Sequence, residues 1–118
     1  RPVNGLSFTV TDIDGQAGQF SDRVTVTGAT YTESHGSTVS GNGTAADPWR
    51  GPASNVSHET SGQGNVKVTF TQPVTAFSLR FWNADAGTSG WLSQNVLSNN
   101  GAQAIFLSDL QFTASTCA

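Results

Sequence analysis

Apolar and polar residues alternate along most of this chain with a period of two, and almost nowhere with the period of about 3.6 that an amphipathic helix needs. Leu6-Ser7-Phe8-Thr9-Val10-Thr11-Asp12 alternates, as does Arg23-Val24-Thr25-Val26-Thr27 before Gly28 breaks it. Val66-Lys67-Val68-Thr69-Phe70-Thr71 is the cleanest run, and Ala76-Phe77-Ser78-Leu79-Arg80-Phe81-Trp82 follows the turn at Gln72-Pro73. Thr30-Tyr31-Thr32 is a further short candidate. Successive side chains of a strand point to opposite faces, so each run reads as a strand with one face in a core and one in water. Val66, Val68 and Phe70 are expected inside, and Lys67, Thr69 and Thr71 outside.

The closing run Ile105-Phe106-Leu107-Ser108-Asp109-Leu110-Gln111-Phe112 changes parity part-way. Ile105 and Leu107 share one face, Leu110 and Phe112 the other. A one-residue slip of this kind predicts a β-bulge at Ser108-Asp109.

Between the runs lie Gly- and Ser-rich stretches. The longest, Glu33 to Gly64, is too long for a structureless loop in a small domain. Short strands are expected inside it, around residues 37–40 and 55–58. Asn100-Gly101 is a hairpin signal that pairs a strand near residues 91–97 with the closing one. About eight short strands and essentially no helix define an all-β fold, a single antiparallel β-sandwich of jelly-roll type. One domain is expected over 1–118, with 1–5 and 114–118 as linker or strand-donor tails. The opening Arg1-Pro2-Val3 is read as the start of a processed or excised piece.

Composition narrows the function classes. Charged residues make up 11% of the 118 residues, against about 25% in an average domain. Lys67 is the sole lysine and the arginines are scattered, so no nucleic-acid footprint is present. No apolar run reaches the roughly 18 residues of a membrane span. A surface of Thr, Ser, Gly and Asn suits a secreted or cell-surface protein. Cys117, the only cysteine, has no partner within this sequence and is a free thiol or pairs with a segment beyond it or with another chain.

Two clusters could carry chemistry. Asp12-Ile13-Asp14-Gly15 directly follows the first strand. Calcium takes six to eight oxygen ligands, and two carboxylates before a glycine resemble the start of a calcium loop. The EF-hand pattern then fails, since Gln16 and Ala17 follow and no glutamate stands at the twelfth loop position. A site pooled from several loops remains open, with Asp109 on the bulged last strand as third ligand. The other open reading is that Asp12 and Asp14 cap a turn through side-chain hydrogen bonds. Asp22-Arg23 reads as an ion pair or a strand-start cap and carries no functional weight.

Trp82, Asn83, Asp85 and Trp91 form the second cluster, around a Gly-rich loop; Trp49 stands in another loop. Indole faces stack on sugar rings while Asn and Asp bond hydroxyls. The competing reading is packing under loops, although Trp82 shares the outward parity of Ser78 and Arg80.

Catalysis is not expected. His35 and His58 fall in no metal spacing, and Glu33 and Glu59 are the only glutamates. A Lys–Asn cross-link of the adhesin kind needs a buried lysine, and Lys67 has outward parity. Asn42-Gly43-Thr44 and Asn55-Val56-Ser57 match the glycosylation sequon, which matters only in a eukaryotic secretory pathway.

Taken together, the Asp-hydrophobic-Asp strand end at Asp12-Ile13-Asp14, the Val66–Val74 strand and turn, and the closing Ser108-Asp109-Leu110 strand resemble the jelly-roll modules of secreted and surface-attached bacterial proteins. The resemblance spans nearly the whole chain, but no single motif is diagnostic. It implies adhesion, matrix or filament building, or carbohydrate attachment, and in some modules calcium between Asp12, Asp14 and Asp109. The expected function is a non-catalytic structural or adhesive module whose partners are copies of itself or neighbouring surface domains. The alternative is a carbohydrate-binding module whose partners are glycans.

Overall fold

The computed structural model describes residues 1–16, 20–52, 62–84 and 104–114. Nine strands run in chain order: β1 (Val3–Thr11), β2 (Gly15–Gln16), β3 (Phe20–Thr27), β4 (Tyr31–His35), β5 (Trp49–Arg50), β6 (Val66–Phe70), β7 (Ser78–Ala84), β8 (Phe106–Leu107) and β9 (Gln111–Ala114). Among the described residues the only helical element is the 3-10 turn Gly62–Gly64. Every strand pair is antiparallel.

The strands form two sheets. The first has the order β4-β6-β1-β8, with β9 also on β1. In the second, β3 is flanked by β2 and β5 on one side and β7 on the other. From β3 to β8 each connection passes from one sheet to the other, so consecutive strands face each other across the core. This is the β-sandwich that the period-two pattern predicts.

The core follows strand parity. Leu6, Phe8 and Val10 of β1 and Val66, Val68 and Phe70 of β6 are buried, and the register places Phe8 against Val68 and Val10 against Val66. The second sheet supplies Val24, Val26 and Trp49. Tyr31 of the first sheet meets Trp49 of the second at 6.0 Å between ring centroids, and Phe8 stacks on Phe77 at 5.0 Å. Each such large side chain contributes roughly 1.5–3 kcal/mol by leaving water.

Three features differ from the expected layout. Among the described residues between 36 and 52, the strand is β5, bridged at Arg50 to Ser40, rather than a run at 37–40. Its Trp49 is a core residue and not a loop-edge ring. Gly43 makes room for it, because a Cβ there would fall 2.5 Å from the indole. Second, β3 is buried on both faces, since Ser21, Arg23 and Thr25 are covered as well as Val24 and Val26. Third, the closing strand is split into β8 and β9. Between the pairs Val10–Leu107 and Ser7–Gln111, β1 passes through Phe8 and Thr9 while the other chain passes through Ser108, Asp109 and Leu110. That extra residue is a bulge, placed where the parity change predicts it. The strands expected at residues 55–58 and 91–97, the Asn100-Gly101 turn and Cys117 lie outside the described residues.

Candidate functional site

β1 ends at Thr11, and Asp12, with a φ of 67°, turns the chain out of the first sheet. Asp tolerates this left-handed conformation better than most residues. The Ile13 N–H then donates to the Gly64 carbonyl at 3.0 Å, and the Ile13 side chain is fully buried. Two residues on, the corner is clipped to the second sheet. The Asp14 N–H donates to Asp22 Oδ2 at 3.0 Å, and the Asp22 N–H donates to the Asp14 carbonyl at 2.9 Å. The Asp22 carbonyl accepts the Gly51 N–H at 3.1 Å. Three backbone segments meet here so closely that a Cβ on Gly51 would stand 2.1 Å from the Asp14 carbonyl oxygen.

The neighbouring side chains continue the network. Asn83 Oδ1 accepts the Ser21 N–H at 3.0 Å, and Ser21 Oγ donates to the Gly51 carbonyl at 3.3 Å. Arg23 Nη1 donates to Ser21 Oγ and, at 3.4 Å, to the Asp22 carbonyl. Asp12, Asp14, Asp22, Arg23 and Asn83 are all buried, Asp22 and Arg23 with 0% exposure. Burying such groups is costly unless they are bonded to one another. The sequence reading missed Asp22 and Arg23. No local signal marked them, because an alternating run predicts one face of the strand in water, whereas β3 is covered on both.

The other expected residues fall as follows. Asn83 joins this network. Trp82 is buried on the outer face of β3–β7, opposite Arg23 in the register, with the Arg80 guanidinium 4.2 Å above its ring. Strand parity gives the face on which it stands and not the burial of that face. Asp85 and Trp91 lie outside the described residues. Asp109 sits on the bulge beside Phe8, four residues before Asp12 on β1 and therefore about 13 Å along the strand from it. The structure bonds Asp14 to Asp22 and places Asp109 elsewhere. Among the described residues, no group of three His, Cys, Asp or Glu side chains is placed to hold a metal ion.

Asp109 instead lines an open polar groove of about 390 Å³ on the first sheet, together with Ser7, Thr9, Lys67, Ser108 and Gln111. A second groove, of about 350 Å³ and mainly apolar, runs along the same edge past Val3, Leu6, Phe77, Leu110 and Phe112.

Fold and site together define a two-sheet β-sandwich with a buried polar corner and, among the described residues, an open, apolar sheet edge. No protein-family model, no curated protein and no solved structure matches the chain.

Proposed function

We propose that this domain is a non-catalytic structural or adhesive module that joins copies of itself along the edges of its first sheet. The observation that carries this reading is the β8–β9 edge. Phe106, Leu107, Leu110 and Phe112 are 58%, 52%, 43% and 53% exposed. Large apolar side chains clustered at a sheet edge favour strand addition from another chain, with the backbone supplying hydrogen bonds and the side chains burial. The partner that fits is a second copy. Among the described residues, the same sheet ends on its far side in β4, so one molecule carries two different edges. Pairing β8–β9 of one copy with β4 of the next is head-to-tail and does not close on itself, which is the geometry of a filament.

Sedimentation of the chain across a range of concentrations tests this. Reversible self-association is expected, with Leu107→Lys and Phe112→Ser each shifting the chain toward monomer while the circular-dichroism spectrum stays that of the parent. A chain that remains monomeric at every concentration overturns the reading. So do variants that lower the melting temperature without changing association, because the patch would then belong to the interior of a single molecule.

A further inference from the structure

The bulge that breaks the β8–β9 ladder leaves a polar groove on the outer face of the first sheet, on the side opposite the core. β1 contributes Ser7 and Thr9, β6 contributes Lys67, and the bulged segment contributes Ser108, Asp109 and Gln111. Thr9 and Lys67 are register partners, as are Ser7 and Gln111, so their side chains rise from the same face. Lys67, Asp109 and Gln111 are exposed. Neither Lys67 nor Asp109 is in an ion pair with another described residue.

We propose that this groove binds a neutral, polyhydroxylated ligand, a carbohydrate of one or two rings. Its volume of about 390 Å³ lies in the lower part of the range of small-ligand sites, roughly 300–1,000 Å³. Its lining offers both halves of what a sugar hydroxyl needs. The Lys67 ammonium is a pure donor, the Asp109 carboxylate a pure acceptor, and Gln111, Ser7 and Thr9 serve in either role. The same two charges discriminate against ions: a cation meets Lys67 and an anion meets Asp109, whereas a neutral ligand with adjacent donors and acceptors uses both.

A peptide strand is disfavoured at this point. Thr9 is the β1 residue whose backbone faces the gap, and Ser108 already occupies it. The Thr9 N–H donates to Ser108 Oγ at 2.8 Å, and the Ser108 N–H donates to the Thr9 carbonyl at 2.9 Å. Ser108 Oγ in turn donates to the Asp109 carbonyl at 3.0 Å, which fixes the residue that carries the carboxylate. The ladder is thus closed here, and only side chains are offered. The groove uses the polar residues of the β8–β9 segment and self-association its apolar ones, so each has its own readout, amide shifts for sugar binding and sedimentation for association.

Amide-resolved NMR titration of the whole chain tests the proposal, using glucose, galactose, mannose, N-acetylglucosamine, cellobiose, lactose and chitobiose as probes, with calcium chloride and sodium phosphate in parallel. At least one sugar is expected to shift amides of residues 7–9, 67 and 108–111 and few others. Asp109→Asn and Lys67→Ala are each expected to weaken that binding about tenfold or more, the effect of losing a charge-assisted hydrogen bond, with the melting temperature unchanged. The proposal is overturned if no sugar shifts these amides, if only calcium or phosphate does, or if both variants bind as the parent does.

Discussion

Asp14 and Asp22 hold each other by a reciprocal pair of hydrogen bonds, the Asp14 N–H to Asp22 Oδ2 at 3.0 Å and the Asp22 N–H to the Asp14 carbonyl at 2.9 Å. The first residue follows β1 in one sheet and the second lies on β3 in the other, so the pair clips the corner that joins the two layers. Asp22→Ala removes a buried acceptor and strands a buried N–H. Such a loss costs about 1–3 kcal/mol. Urea unfolding is expected to show it, and Asp22→Asn, which keeps an acceptor oxygen, is expected to recover a large part. Equal loss in both variants would mean that the carboxylate's charge, and not this bond, holds the corner.

Gly43 lies under Trp49, with a φ of +86° and the indole 2.5 Å from where a Cβ would stand. Gly43→Ala therefore combines backbone strain of roughly 1–2 kcal/mol with overpacking of about 1–3 kcal/mol. A loss of about 2–5 kcal/mol is expected in chemical unfolding, with a change in tryptophan fluorescence. A variant as stable as the parent would show that the β4–β5 connection relaxes freely.

Tyr31 is the sole tyrosine, so its ionisation is read directly from tyrosinate absorbance. Burial first, and the nearby Glu33 charge second, push its pKa above the usual value of 10.0. Its hydroxyl also donates to the Asn42 carbonyl at 2.8 Å, a bond that ionisation forfeits. The unfolded chain ionises first as pH rises, so this contribution to stability is complete below the unfolded pKa and is lost as pH climbs through the folded one. Native protein is expected to titrate at higher pH than urea-unfolded protein. Coincident curves would sink the assignment.

Ser108 replaces a backbone group in the β1 ladder with its hydroxyl. Ser108→Ala is expected to cost about 1 kcal/mol, the net worth of an ordinary hydrogen bond. Hydrogen exchange at the Thr9 amide should rise more than at Phe8 or Val10. Unchanged protection at Thr9 would show that the bulge is held by other contacts.

Much of this fold was legible because burial in a strand repeats every second residue. The pattern places Leu6, Phe8 and Val10, and Val66, Val68 and Phe70, on the core side, and the same parity rule locates the bulge at Ser108-Asp109. Parity is a property of one strand at a time. It states which residues share a face, but not what lies over that face. Trp82 shows the limit, since it has the parity of Ser78 and Arg80 and is nonetheless buried.

The candidate sites depended on distances along no single strand. Nothing local distinguishes Asp22-Arg23 from a surface ion pair, and nothing local separates Asp109 from Asp12 and Asp14. Sheet pairing decided both, bringing Asp22 to the Asp14 corner and setting Asp109 across β1 from Lys67. By itself the amino-acid sequence determined a two-layer β fold and the inner faces of its main strands, because alternation and turn chemistry are short-range effects. Only the tertiary structure decided which polar residues are enclosed and which line an open groove, because that follows from which segments far apart in the chain come to lie side by side.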